Sequence, residues 1–254
     1  MQLAGDIEGP LRRPQEALGQ CQLQMGGQDW EGVMTGLKTL RRLTKHHPEV
    51  VAASLHSIIM DVTRHVHNLR SQVSRTACSV AGELAVALHR RLDNELEELV
   101  APLLHRSADT NRFLREDCGK ALDRIMEHTL PSRSIPAIIS QGASHKNKIV
   151  RATTARLLAE IVMRLGPDKI LGAASPGAGS AGGITREVRG RLLKTVAALL
   201  TEGSLETRTH AKKTFEVLMV HDAFESCLEQ SVQPSLMRSI QKTMLTLRRA
   251  YETR

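Results

Sequence analysis

Five histidines fall in the first third of the sequence, His46, His47, His56, His65 and His67, and with four cysteines, Cys21, Cys78, Cys118 and Cys227, they are the residues best suited to hold a metal or to do redox chemistry. Their spacing does not support either. His65 and His67 are two apart and point to different sides of a helix. The cysteines form no CxxC pair and no zinc pattern with histidine. A glycine-rich stretch, "GPDKILGAASPGAGSAGG" (166–183), lacks the GK[ST] ending of a phosphate loop, and no GxSxG or HExxH occurs. Neither an enzyme nor a cofactor or metal site is expected. What remains is a concentration of positive charge. The stretch "SHKNKIVRATTARLLAEIVMRLG" (144–166) places His145, Lys146, Lys148 and Arg151 where a helix should begin, although the helix macrodipole favours anions there. Such cations are incidental or are meant for something outside the chain.

The helix that carries them is one of a series. "VSRTACSVAGELA", "FLREDCGKALDRI", "IVRATTARLLAEI" and "LETRTHAKKTFEVL" align on Arg75, Arg115, Arg151 and Arg208. Small residues follow three positions later (Cys78, Cys118, Thr154, Ala211). Gly82, Leu122, Leu158 and Phe215 follow at seven, and Ala85, Ile125, Ile161 and Leu218 at ten. Offsets of three, seven and ten share one helical face, so each arginine opens a helix whose buried stripe starts small. Cys78 and Cys118 then read as small core residues. The arginines lie 40, 36 and 57 residues apart, and removing the 18 residues of 166–183 from the last interval restores a period near 39. That is the period of HEAT-type helical hairpins.

Partner helices precede these: 48–66, 94–107, 131–142 and 185–203. A front pair is formed by a weak helix around Arg12 to Leu23 and one over Asp29 to His47, and a last pair by 221–230 and 234–252. The expected fold is all-α, a solenoid of about six helical hairpins. Residues 1–27 form an N-terminal segment with the weak first helix, and 28–252 form a single domain interrupted by a flexible Gly/Ala/Ser-rich insertion at 166–183. Aromatic residues are 2% of the chain and the formal net charge is +8. The charge suits an acidic partner, and the scarcity of aromatics argues against nucleic acid bound by base stacking. No apolar run spans a membrane and the N-terminus has no signal-peptide core. A chain acting in the cytoplasm, without a membrane partner, is expected, as a monomeric domain.

In a hairpin solenoid the loops that lead into the second helices share one edge. Here they are 26–32, 67–72, 107–112, 144–149 and 202–207. The first carries Trp30, the only tryptophan, which reads either as a plug for the end of the core or as an interface anchor. The register arginines are read as structural, bonding carboxylates in the next repeat. Arg70, Arg112, Lys146 and Lys148, outside that register, are the better interface candidates.

With Trp30 in "DWEGVMTGLKTLRRL" and the repeat "NKIVRATTARLLAEI", the sequence resembles the TOG domain, the HEAT-repeat tubulin-binding module, over about 28–252. It is most similar to the TOG array regulators of axonemal microtubules (crescerins), with the CLASP group second. The resemblance implies that the loop edge binds αβ-tubulin or the microtubule lattice, in the cytoskeleton and, by subfamily, the cilium or axoneme. Trp30 takes the β-tubulin position. Arg70 and Ser71, Asn111 and Arg112, and Lys146, Asn147 and Lys148 fall in the second, third and fourth loops, and basic residues of the later loops reach towards α-tubulin. The fifth loop departs from the family pattern, with Glu202 and Glu206 where a basic residue is common. The rival expectation is a scaffold of the same fold that binds another acidic protein without tubulin affinity.

Overall fold

A computed structural model describes residues 9–172 and 184–252. The described residues are helical throughout, with fourteen α-helices and one 3-10 turn, His89–Leu92. The chain folds as two compact units, Met1–Thr129 and Leu130–Arg254.

The first unit holds α1 (Pro14–Gly26), α2 (Trp30–His46), α3 (Pro48–Ala52), α4 (Leu55–Val66), α5 (Ser71–Leu88), α6 (Leu96–Arg106) and α7 (Arg112–His128). The second helices α2, α5 and α7 pack side by side, and α1, α4 and α6 line up against them. Arg70 meets Trp30 at the starts of α5 and α2, and Arg41 meets Glu83 at 2.6 Å about three to four turns on, so α2 and α5 run in the same direction. Arg75 and Asp117 at 2.5 Å, and the Sγ atoms of Cys78 and Cys118 at 3.5 Å, set the same direction for α5 and α7. Both cysteines are fully buried, and their mutual contact together with burial pushes the Cys118 thiol far up, which suits inert core residues.

The second unit holds α8 (Pro131–Gly142), α9 (Lys148–Leu165), α10 (Pro167–Leu171), α11 (Arg186–Leu199), α12 (Leu205–Leu218), α13 (Phe224–Ser231) and α14 (Pro234–Glu252). Helices α9 and α12 pack as the second-helix layer, with α11 against α8 and α13. All twelve positions at offsets three, seven and ten from the register arginines are buried across the two units. The period read from the sequence is thus the period of the core.

Three expectations are corrected. The helix expected over 48–66 is two helices: Ser54 leaves helical geometry at φ −124°, ψ 29°, and its carbonyl accepts from the Ser57 hydroxyl, a local bond that competes with the helix. The first part of the insertion expected over 166–183 is helical. Gly166, at φ 77°, closes α9 with its N–H on the Val162 carbonyl, and Pro167 starts α10, whose Ile170 and Leu171 are buried. Residues 173–183 lie outside the described residues. No boundary falls between 27 and 28, since α1 packs on α2 and buries Leu18, Cys21 and Met25.

A buried histidine ties α1 to α4. The ring Nε2 of His65 donates to the Met25 carbonyl at 2.8 Å, satisfying a group left open by the end of α1, while Nδ1 is buried without a partner. Desolvation lowers the His65 pKa against the weaker opposing pull of the Met25 carbonyl, and desolvation likewise lowers His67 and His210. The exposed His56, bonded to Glu95 at 2.8 Å, is raised by that bond. For the three lowered groups the unfolded chain takes up protons near the ordinary value of about 6.5 and the folded chain only at lower pH. Their contribution is complete above about pH 6.5 and is lost as the pH falls below it. Calorimetry is expected to give a lower Tm at about pH 5.5 than at about pH 7.5, with the gap narrowed in His65→Gln. An equal or higher Tm at the acidic pH contradicts the buried neutral imidazole.

Candidate functional site

In the first unit, three tight turns carry the chain into parallel helices. Asp29 caps α2 by accepting from the Gly32 N–H at 2.9 Å and the Glu31 N–H at 3.3 Å. The Asn68 side chain accepts from the Arg70 N–H at 2.9 Å and shapes the second turn. Asn111 caps α7, accepting from the Phe113 N–H at 3.0 Å. These are the short polar side chains that a helix start favours. Arg106, at the end of α6, bonds the Val66 and Asn68 carbonyls at 3.1 and 3.0 Å and Asp109 at 2.6 Å, which clamps the second loop to the third.

On this frame Trp30 is half-buried at the first position of α2, and the Arg70 guanidinium lies 4.9 Å from its ring centroid. Ser71 is exposed beside Arg70 at the start of α5. Arg112 opens α7 and bonds Glu116 at 2.7 Å one turn on, a pair open to solvent on both sides. Of the candidates in this unit, Trp30, Arg70, Ser71, Asn111 and Arg112 therefore lie at one end of three neighbouring helices. Asn111 spends its side chain on the cap, so its part is to shape the loop.

The sequence reading missed two residues of this edge. Leu69 is 100% exposed and Phe113 is 60% exposed, so the turns present apolar groups as well as cations. Arg75 stacks 5.3 Å over the Phe113 ring while its Nε bonds Asp117. An apolar residue directly beside an N-cap, out of step with the buried stripe, was the signal available.

In the second unit, Asn147 caps α9 through the Ile149 N–H at 2.9 Å, with Lys146 and Lys148 exposed on either side of it. Arg151 donates to the His145 and Lys146 carbonyls at 2.7 and 3.1 Å and pairs with Glu202 at 2.9 Å. Arg208 donates to the Glu202 and Gly203 carbonyls at 2.5 and 2.9 Å. In the first unit Arg115 does the same to Asp109 and Thr110 at 2.7 and 3.0 Å. Three register arginines thus fasten the loop five and six residues behind them, and Arg75 and Arg151 also bond carboxylates of the following repeat. The acidic fifth loop is partly neutralised, since Glu202 is held by Arg151. Ile149 and Leu205, at 42% and 70% exposure, add apolar surface beside these caps.

The arrangement suits recognition of a protein surface. Rigid loops offer an indole, a leucine, a phenylalanine and cations, the mixture that anchors interfaces. Among the described residues no group of three or more His, Cys, Asp or Glu is placed to hold a metal, and no helix is long and apolar enough to cross a membrane.

A family model described as CLASP N terminal matches residues 27–241. The chain is 33% identical over 239 residues to TOG array regulator of axonemal microtubules protein 1 of Mus musculus, an alignment that covers 94% of this chain and 13% of that protein. The chain therefore spans about an eighth of that relative's length. Among solved structures, the TOG domain of C. elegans Zyg9 superposes with a TM-score of 0.62 at 12% identity, covering 95% of this chain and 89% of that one. A structure from work on TOG-tubulin binding specificity superposes with a TM-score of 0.61 at 12% identity, covering 87% and 88%. The fold is that of TOG domains.

Proposed function

This chain belongs to the CLASP N terminal family, and from that premise we propose that it is a non-enzymatic module that binds αβ-tubulin or the microtubule lattice and regulates microtubule polymerisation or stability. The name of the mouse relative, a regulator of axonemal microtubules, supports a place at ciliary and axonemal microtubules within the cytoskeleton. Both units, α1 included, serve one binding module, and the rest of a longer protein adds reach and avidity.

The observation that carries the reading is the loop edge of the first unit, where Trp30 lies under Arg70 beside fully exposed Leu69. Trp30 is the anchor. Arg70, Ser71 and Arg112 contact the partner next to it, with Asn111 holding their loop in shape. Lys146 and Lys148, on either side of the Asn147 cap, meet acidic tubulin surface. The fold does not need their charges: Asn147 already caps the helix, and each exposed cation at a helix start costs little. Their effect falls on encounter rate and orientation.

Lys146→Glu with Lys148→Glu is therefore expected to weaken association with tubulin or microtubules about tenfold at low salt, mainly in the association rate, and by less as salt rises. Interferometry on immobilised tubulin together with microtubule pelleting checks this. Unchanged kinetics in the doubly reversed variant would remove the second unit's loop from the interface. A chain that ignores both free tubulin and lattice would fit the rival scaffold.

A further inference from the structure

The outward face of α11 carries charge that the fold does not use. Val188, Leu192, Leu193, Val196, Ala197 and Leu199 form its buried stripe. Arg191 and Lys194 are exposed on the opposite side, one turn apart, and neither has an ion-pair or hydrogen-bond partner among the described residues. Neighbouring cations on one helix face oppose each other. Gly190 lies beside them. Its Cβ would stand 3.6 Å from the Ser231 Oγ, an ordinary contact, so packing does not demand a glycine there although glycine weakens a helix interior.

Two open grooves flank this pair. One, of about 630 Å³, runs from Arg191 and Lys194 to the end of α8 and is lined also by Ile139, Thr195, His145 and Lys146. The other, of about 560 Å³, lies towards α13 and adds Arg186 and Arg189. Arg191 and Lys194 belong to both and form the low ridge between them. The carboxylates on this surface are Glu187 and Glu202, and Glu202 is held by Arg151 at 2.9 Å. The cations are spread along the surface, not converged on a point, which fits an extended chain of charges better than a compact anion. The walls are aliphatic and hydroxyl-bearing, and no Trp, Tyr or Phe side chain lines either groove; His145 is the one ring in their lining. Single-stranded nucleic acid is bound by stacking on aromatics; a peptide needs none.

We propose that the paired grooves across α11 are a second docking surface that takes an extended, glutamate-rich peptide, with Arg191 and Lys194 as its central contacts. One groove reaches His145, Lys146 and Glu202 of the loop edge, but the proposal does not rest on tubulin binding there, because its central contacts, Arg191 and Lys194, lie on a helix face outside those loops.

The test is fluorescence anisotropy with a labelled decaglutamate peptide and the 254-residue chain. Saturable binding is expected at low salt, weakened about tenfold or more by Arg191→Glu with Lys194→Glu and weakened by added salt. Trp30→Ala should leave it unchanged, which separates failure of this site from failure of the tubulin reading. A thermal melt confirms that the doubly reversed variant is folded, as expected for two exposed positions. No binding by the wild type, or equal binding by the folded variant, overturns the proposal. So does tighter binding of a labelled oligouridylate of equal length, which would make the surface a nucleic-acid face.

Discussion

Gly36→Val lowers the melting temperature by about 2–12 °C and loosens α1. Gly36 is where α1 and α2 cross. A Cβ placed on it would lie 2.9 Å from the Cys21 carbonyl oxygen, 2.9 Å from the Met25 Cγ and 3.2 Å from the Gln24 Cβ. The first of these is backbone, so relief requires α1 itself to move, and valine adds two more carbons. Overpacking of this kind costs about 1–3 kcal/mol, and each kcal/mol is worth about 2–4 °C in a chain of this size. When α1 lifts, Leu18, Cys21 and Met25 lose burial and the His65 to Met25 bond breaks. The matched control is Gly119→Ala in α7, where a Cβ meets nothing within 4 Å. It should keep or raise the melting temperature, because alanine favours a helix over glycine by about 1 kcal/mol. Thermal melts of both variants, with hydrogen exchange over 14–26, check the pair. A Gly36→Val protein that melts with the wild type contradicts the close crossing.

Trp30→Ala is expected to reduce tubulin affinity about thirtyfold or more while leaving the chain folded. A tryptophan anchor at the centre of an interface is worth about 2 kcal/mol or more on truncation. Its role within the fold is smaller. Trp30 is half-buried at the first position of α2, and the helix is started by the Asp29 cap and held by Val33, Leu37 and Leu40. Inside the chain the substitution also removes the Arg70 contact, worth about 0.5–1 kcal/mol at an exposed site. Trp30→Phe, which keeps a ring for Arg70, should fall between. Titration of tubulin against the three proteins, with circular dichroism for the fold, separates binding from stability. A Trp30→Ala chain that binds as the wild type does would make the indole a plug for the core end.

Much of the fold was legible because its core repeats. Cys78, Cys118, Thr154 and Ala211 are small where second helices of the same unit pack closely, α5 on α7 and α9 on α12, and the arginine ahead of each gives the register. The break at Ser54 was not legible, since "PEVVAASLHSIIM" carries helix-compatible apolar spacing throughout and only local hydroxyl bonding divides it. Helix α10 hid in a stretch whose glycines and prolines read as linker, though Gly166 followed by Pro167 is the stop and start of two helices. At the loop edge, Trp30 and the cations stood out by type. Leu69 and Phe113 did not, because an apolar residue is noticed for joining a stripe and not for standing outside one. The unused charge on α11 was hidden in a helix that reads as an ordinary amphipathic repeat.

The most direct test of the account is size-exclusion chromatography of the chain mixed with αβ-tubulin at low and moderate salt, with microtubule pelleting of the same preparation. The account predicts an earlier-eluting species that contains both proteins at low salt, or co-pelleting with the lattice, diminished as salt rises. Separate elution at both salts together with a chain that stays in the supernatant would contradict it.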